Sequence, residues 1–170
     1  MFKKIVIPLD GSELAEQALA PACRIAEKFG SELLLLRVVT PERPLPARPY
    51  LSSRADSLLA ANARPLVEEA EDYLSGLKFQ LMGLSLRKRV LCGAPPEMII
   101  AAAAESGADL IVMSTHGRSG LMRLLYGSVT EAVLRGSPVP VLVVPNRVPE
   151  RLTEADRDLA RSGLLAENYH

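Results

Sequence analysis

The feature that most constrains this chain is an alternation of short, almost wholly apolar runs with longer segments of helical spacing. Ile5–Leu9, Leu33–Val39, Leu110–Met113 and Val139–Val144 are runs of this kind, built from leucine and β-branched residues. A strand that is buried on both faces reads this way, and such strands belong to parallel sheets with helices on each side. A further run, Leu84–Leu91, alternates only partly and is more polar, as an edge strand is.

Between the runs lie the predicted helices. Ser12 is placed to cap one that carries Leu14, Ala15, Ala18, Leu19, Cys23, Ile25 and Ala26 on its apolar side and stops at Gly30. A proline-rich loop from Thr40 to Leu51 precedes a helix from about Arg54 to Leu81. That helix places Leu58, Leu59, Ala63, Leu66, Val67, Ala70, Leu74 and Leu77 at helical spacing, and Pro65 predicts a kink or a break within it. Gly93–Ala94–Pro95–Pro96–Glu97 opens a third helix, lined by Met98, Ile99, Ala102 and Ala103 and closed by Gly107. The last core helix opens at Gly127–Ser128 and ends at Gly136, with Ser128 and Glu131 at capping-box spacing.

Strands joined by helical crossovers give a doubly wound parallel sheet of five strands. Ligands in such sheets bind beyond the carboxyl ends of the strands, where the strand order reverses. The loops after Leu9, Val38 and Met113 are thereby brought together.

Composition narrows the partners. At 170 residues the chain suits one domain that needs no disulfide or metal to fold. Its 20 basic and 20 acidic residues balance, which argues against a nucleic-acid or anionic-membrane partner. There is no tryptophan, so base-stacking platforms are not expected. Cys23, Cys92, His116 and His170 lack the spacing of a zinc site, and the two cysteines read as free thiols of a reducing compartment. Five apolar-rich residues before Asp10 are too few for a signal peptide, and no run reaches the length of a membrane span. The cytoplasm is the expected compartment.

The richest chemistry lies in Ser114–Thr115–His116–Gly117 and, after nine intervening residues, Gly127–Ser128–Val129–Thr130. Glycine at a strand-to-loop junction lets backbone N–H groups approach an anion. The helix start after Gly127 adds unpaired N–H groups and the positive end of the helix dipole. Ser128 and Thr130 add hydroxyls, and Arg118 adds a charge. The competing reading makes Gly117 and Gly120 plain turns and Ser128 a cap. His116 has no acid–base partner readable beside it, so no catalytic role is expected for it.

The segment Met113–Gly120, continued by Leu124–Glu131 and Pro138–Val144, resembles the universal stress protein family, as does the opening Ile5–Ser12. The resemblance covers roughly residues 1–145, leaving 147–170 as a C-terminal extension beyond a domain of residues 1–146. In that extension Thr153 and Asp156 are spaced to cap a short helix. The resemblance implies a Rossmann-like fold of the adenine nucleotide alpha hydrolase type, with strand order 3-2-1-4-5.

The family's ATP-binding branch carries Gly, two residues, Gly, nine residues, then Gly followed by Ser or Thr. Gly117, Gly127 and Ser128 fill the later positions, and Ser114 stands where the first glycine would be. Its Cβ either crowds the phosphates or its hydroxyl replaces a contact. By the same resemblance Asp10 bonds the ribose or the adenine edge, Pro8 and Leu9 shape a wall, Val38 presents backbone groups, and Met113 floors the pocket. Gly117, Arg118, Gly127, Ser128, Val129 and Thr130 then hold phosphates, with magnesium or manganese carried by the nucleotide and water. Without the resemblance, Asp10 reads as a turn or capping residue.

The last strand, Val139–Val144, is apolar on both faces and lies at one end of the sheet. Pairing with its copy in a second subunit would bury it, and a homodimer of this kind is what the resemblance also implies. Three functions remain open at this level. One is an ATP-binding regulatory homodimer acting in the stress response. Another is an interaction module of the same fold that binds no nucleotide. The third is an ATP pyrophosphatase or ligase, which would need a serine- and glycine-rich loop where Asp10–Gly11–Ser12 stands.

Overall fold

The computed structural model describes residues 2–40, 54–77, 83–115 and 127–145. In chain order these form β1 (Lys4–Leu9), α1 (Glu13–Glu16), α2 (Leu19–Phe29), β2 (Glu32–Val39), α3 (Arg54–Gly76) and β3 (Leu86–Cys92), followed by α4 (Pro95–Ser106), β4 (Leu110–Thr115), α5 (Ser128–Gly136) and β5 (Val141–Pro145). The strands make one parallel sheet in the order β3-β2-β1-β4-β5. This is the predicted doubly wound topology.

The period of two along each strand divides the core. Ile5, Ile7 and Leu9 of β1, with Leu33 and Leu35 of β2, face Ala15, Ala18, Leu19, Ala22, Ala26, Leu74 and Leu77. Val6, Leu34, Leu36, Ile111 and Met113 face the other way, onto Ile99, Ala102, Ala103 and Val133. Thus α1, α2 and α3 cover one side of the sheet while α4 and α5 cover the other. Gly30 and Gly107 close α2 and α4 in the left-handed region, at φ 66° and 64°, as their positions in the sequence predict.

Several local readings need correction. The helix predicted from Ser12 to Gly30 is two helices, α1 and α2, parted at Gln17–Ala18. Pro21 has no N–H for the carbonyl of Gln17, and the chain there turns through tighter bonds, Gln17 N–H to Leu14 O and Ala18 N–H to Ala15 O. Pro65, by contrast, lies within an unbroken α3, and Leu66 beside it is exposed rather than core. Strand β4 runs on through Thr115, two residues beyond its apolar stretch, because β5 pairs with it as far as Pro145. Residues 139 and 140 precede β5. The N-cap of α5 is Gly127, and Ser128 is its first helical residue, so no capping box forms; Glu131 pairs with Arg135 one turn on. The predicted helix end at residues 77–81 is described only as far as Leu77, and the 147–170 extension lies outside the described residues.

The expected polar edge is β3. Its Arg87, Lys88 and Arg89 meet Glu32, Ser75 and Glu105. Leu35, fully buried on β2 between Ile7 and Lys88 in register, is a direct probe of the core. Leu35→Ala is expected to cost about 2–5 kcal/mol, seen as a melting point lower by roughly 2–4 °C for each kcal/mol. Leu66→Ala, at an exposed site, is expected to cost less than about 1 kcal/mol in the same thermal melt.

Candidate functional site

The site begins where two central strands separate. β1 pairs with β2 along its whole length, from Lys4 opposite Glu32 to Leu9 opposite Arg37. With β4 it pairs only at Ile5 and Val6. Pro8, which has no N–H to offer a ladder, lies beyond that last pair. Past Val6 the strands part, and a cavity of about 260 Å³ opens at their carboxyl ends.

Ten of the residues singled out from the sequence line this cavity: Pro8, Leu9, Asp10, Val38, Met113, Ser114, Gly127, Ser128, Val129 and Thr130. His116, Gly117 and Arg118 lie outside the described residues. Six further lining residues escaped sequence reasoning: Ser12, Leu14, Ala15, Leu36, Pro95 and Ile99. Pro95 and Ile99 carried a signal, since a helix that opens on prolines just after a strand end must start beside the same crevice. Leu36 and Ala15 carried none, because apolar residues that wall a ligand look like any core position.

Three helix starts surround the cavity, and they differ in what they offer. Ser12 caps α1: its Oγ accepts from Ala15 N–H at 3.1 Å. α4 begins with Pro95 and Pro96, neither of which has an N–H. α5 has glycine as its N-cap and no side-chain cap. The first intrahelical bond there is Glu131 N–H to Gly127 O, at 3.0 Å, so the N–H groups of Ser128, Val129 and Thr130 precede the helix's own ladder. Of the three, α5 presents the longest run of backbone donors, three in succession, at a positive dipole end facing the cavity.

The backbone explains two of the special residues. Gly127 has φ −50° and ψ 152°, which any residue adopts, so glycine is not demanded by conformation. What glycine does provide is a cavity wall without a side chain. Ser114 lies within β4, opposite Val144, and no described residue other than glycine has a positive φ. A glycine is therefore not needed at 114 for the turn of the chain. Thr130, buried, directs its hydroxyl at the carbonyl of Ser114 over 3.5 Å and so ties the start of α5 to the end of β4.

Asp10, which also lines the cavity, is exposed and held by its neighbours. Its Oδ1 accepts from the Ser12 N–H at 2.9 Å and from the Ser12 hydroxyl at 2.5 Å. Partial burial pushes the carboxyl upward, but the two bonds from Ser12 and then the charge of Arg37 outweigh it and hold the group below its usual 3.8. Asp10 is thus a fixed, ionised acceptor and the one charged side chain among the described residues that line the cavity. Among the described residues no three His, Cys, Asp or Glu side chains come together as metal ligands. No described helix is long and apolar enough to cross a membrane.

Residues 1–145 match the universal stress protein family. The chain is 36% identical to universal stress protein MJ0531 of Methanocaldococcus jannaschii over 146 residues, covering 85% of this chain and 82% of that one. Among solved structures it is similar to MJ0577, a protein of the same organism. The TM-score is 0.70 at 34% identity, over 86% of this chain and 98% of that chain. A universal stress protein solved in complex with cAMP matches with TM-score 0.55 and 28% identity, over 85% of this chain and 97% of that chain.

The Ser12–Asp10 pair makes a prediction that needs no ligand. A carboxyl held below its unfolded value stabilises the fold above that value, and the contribution is lost as the pH falls through the lowered one. Ser12→Ala removes the hydroxyl donor and the α1 cap together. The Asp10 midpoint, read by NMR titration, is expected to rise, and acid unfolding to begin at a higher pH. At neutral pH the lost cap is expected to cost about 1 kcal/mol.

Proposed function

This chain belongs to the universal stress protein family, and from that premise we propose that it binds an adenine nucleotide, ATP in particular, as a regulatory homodimer. The observation that carries the reading is that the start of α5, with no side-chain cap, and the ionised Asp10 line one cavity. Phosphates suit the first of these and a nucleoside the second.

The residues divide accordingly. Gly127, Ser128, Val129 and Thr130 meet the phosphates through backbone N–H groups and the Ser128 hydroxyl, and the family resemblance adds Gly117, Arg118 and His116, which lie outside the described residues. Pro8, Leu9, Val38 and Met113 enclose the base, and Asp10 accepts from the ribose or the base edge. Ser114 takes the place of the family's first glycine without strain, since its backbone is extended. Magnesium or manganese arrives on the phosphates and is held by them and by water. No residue is assigned to catalysis: His116 remains a positioning or phosphate contact, and occupancy rather than turnover is the signal. Two free thiols suit a reducing cytoplasm.

The dimer is assigned to the β5 edge. Leu142 on β5 is a large apolar side chain that is 37% exposed, on the strand that ends the sheet among the described residues. Pairing across a two-fold axis covers that edge.

The first measurement is mass spectrometry of small molecules released on denaturing the freshly purified protein, followed by ATP calorimetry. Released ATP, or saturable binding in the micromolar range, is expected. No release and no binding at millimolar ATP would leave an interaction module of the same fold. Gly127→Val is expected to abolish binding while sedimentation still shows a dimer, and Asp10→Ala to weaken ATP and AMP alike. Leu142→Arg is expected to give a monomer on sedimentation that still binds nucleotide.

A further inference from the structure

Arg37 is the one charge in the run Leu33–Val39, and its register places it opposite Leu9 on β1. It shares the face of Leu33 and Leu35, opposite to that of Leu36, which walls the cavity. The guanidinium therefore stands behind the cavity wall rather than in it. Nη1 donates to the carbonyl of Leu9 at 3.4 Å. The same nitrogen lies 3.3 Å from the place a Cβ would occupy on Gly11, whose φ of 84° turns the chain over it. Behind it, the guanidinium carbon stacks 5.8 Å from the ring centre of Tyr73, and Tyr73 is fixed by donating its hydroxyl to Glu16 at 2.9 Å.

The arrangement is costly for a purely structural role. Arg37 Nε is buried with no hydrogen-bond partner among the described residues. A leucine here would extend the apolar run without that cost. Among the described residues the acidic groups of this cluster are Asp10, which feels the charge of Arg37, and Glu16 on α1, which accepts from the Tyr73 hydroxyl. At Asp10 both recorded bonds fall on Oδ1.

We propose that Arg37 is a positioning residue: braced on Tyr73 and Glu16, it holds the Leu9–Gly11 turn in place and fixes the Asp10 carboxylate as an anion at the mouth of the cavity. As a statement about ligand affinity this rests on the nucleotide reading above. As a statement about Asp10 it stands without it. One consequence is that α3, none of whose described residues lines the cavity, is linked to it through Tyr73 and Arg37.

The test combines NMR titration of the Asp10 carboxyl with ATP calorimetry on the full chain, for the natural protein, Arg37→Met, Asp10→Asn and the double variant. Arg37→Met is expected to raise the Asp10 midpoint and to weaken ATP about tenfold. In the Asp10→Asn background the same change is expected to cost less than about twofold, since the group through which Arg37 acts is gone. An Asp10 midpoint that does not move overturns the proposal. So does an equal loss of affinity in both backgrounds, which is what general damage to packing produces. Arg37→Gln, which keeps a donor and removes the charge, is read by the same criteria if Arg37→Met does not fold. If the natural protein binds no ATP while the Asp10 midpoint still shifts, the nucleotide reading fails and the positioning role is upheld.

Discussion

A strand that is paired on both sides for part of its length and on one side for the rest is the constraint on which this molecule depends. β1 holds β4 through Ile5 and Val6, then continues alone beside β2 to Leu9. Pro8 makes the separation chemical as well as geometric, since a residue without an N–H cannot extend a second ladder. Everything on the rim follows. The turn at Asp10–Gly11–Ser12 leaves from the free end of β1, and the cavity occupies the space that a continued β1–β4 ladder would have closed. The helices α4 and α5 approach from one face and α1 from the other, so their N-termini gather there by topology alone.

Topology brings three positive helix ends together, and local chemistry then weights them unequally. Ser12 takes one donor of α1 with its own oxygen, and two prolines remove donors from the start of α4. At the start of α5 stands a glycine, with no side-chain cap, whose backbone would accept any side chain. The choice of residue at 127 is thus better explained by what approaches the helix than by the helix itself. Asp10 gives the same cavity a group of opposite polarity. A molecule that carries both an anion and hydrogen-bond donors is matched by such a lining, and the apolar residues beside them match a flat ring.

Much of this was legible in the sequence because the rules involved are local. Buried strands announce themselves as apolar runs, and the glycines at 30 and 107 mark helix ends because only glycine takes that backbone conformation cheaply. The gathering of ten predicted residues around one cavity required only the strand order in addition. What escaped was set by competition between neighbours. The break at Gln17–Ala18 depends on Pro21, four residues downstream of the carbonyl it cannot satisfy, while Pro65 leaves α3 unbroken. Ser128 looks like a cap only until Gly127 is seen to take that place. Arg37 could not be singled out from the sequence, because its meaning lies in contacts with Leu9, Gly11 and Tyr73, which are distant in the chain.

The two edges of the sheet supply a last argument. An exposed strand edge is a template for uncontrolled pairing, and proteins that stay monomeric blunt it with charge. β3 follows that rule, with Arg87, Lys88 and Arg89 in succession. β5 breaks it: Val141–Leu142–Val143–Val144 carries no charge, and Leu142 is exposed. If solubility alone had shaped the sheet, both edges would be treated alike. An asymmetry of this kind is accounted for when one edge is kept from partners and the other is kept for one. The proposed self-pairing of β5 under two-fold symmetry would close the open end, and β5, now the edge strand, would become an interior strand of a larger sheet.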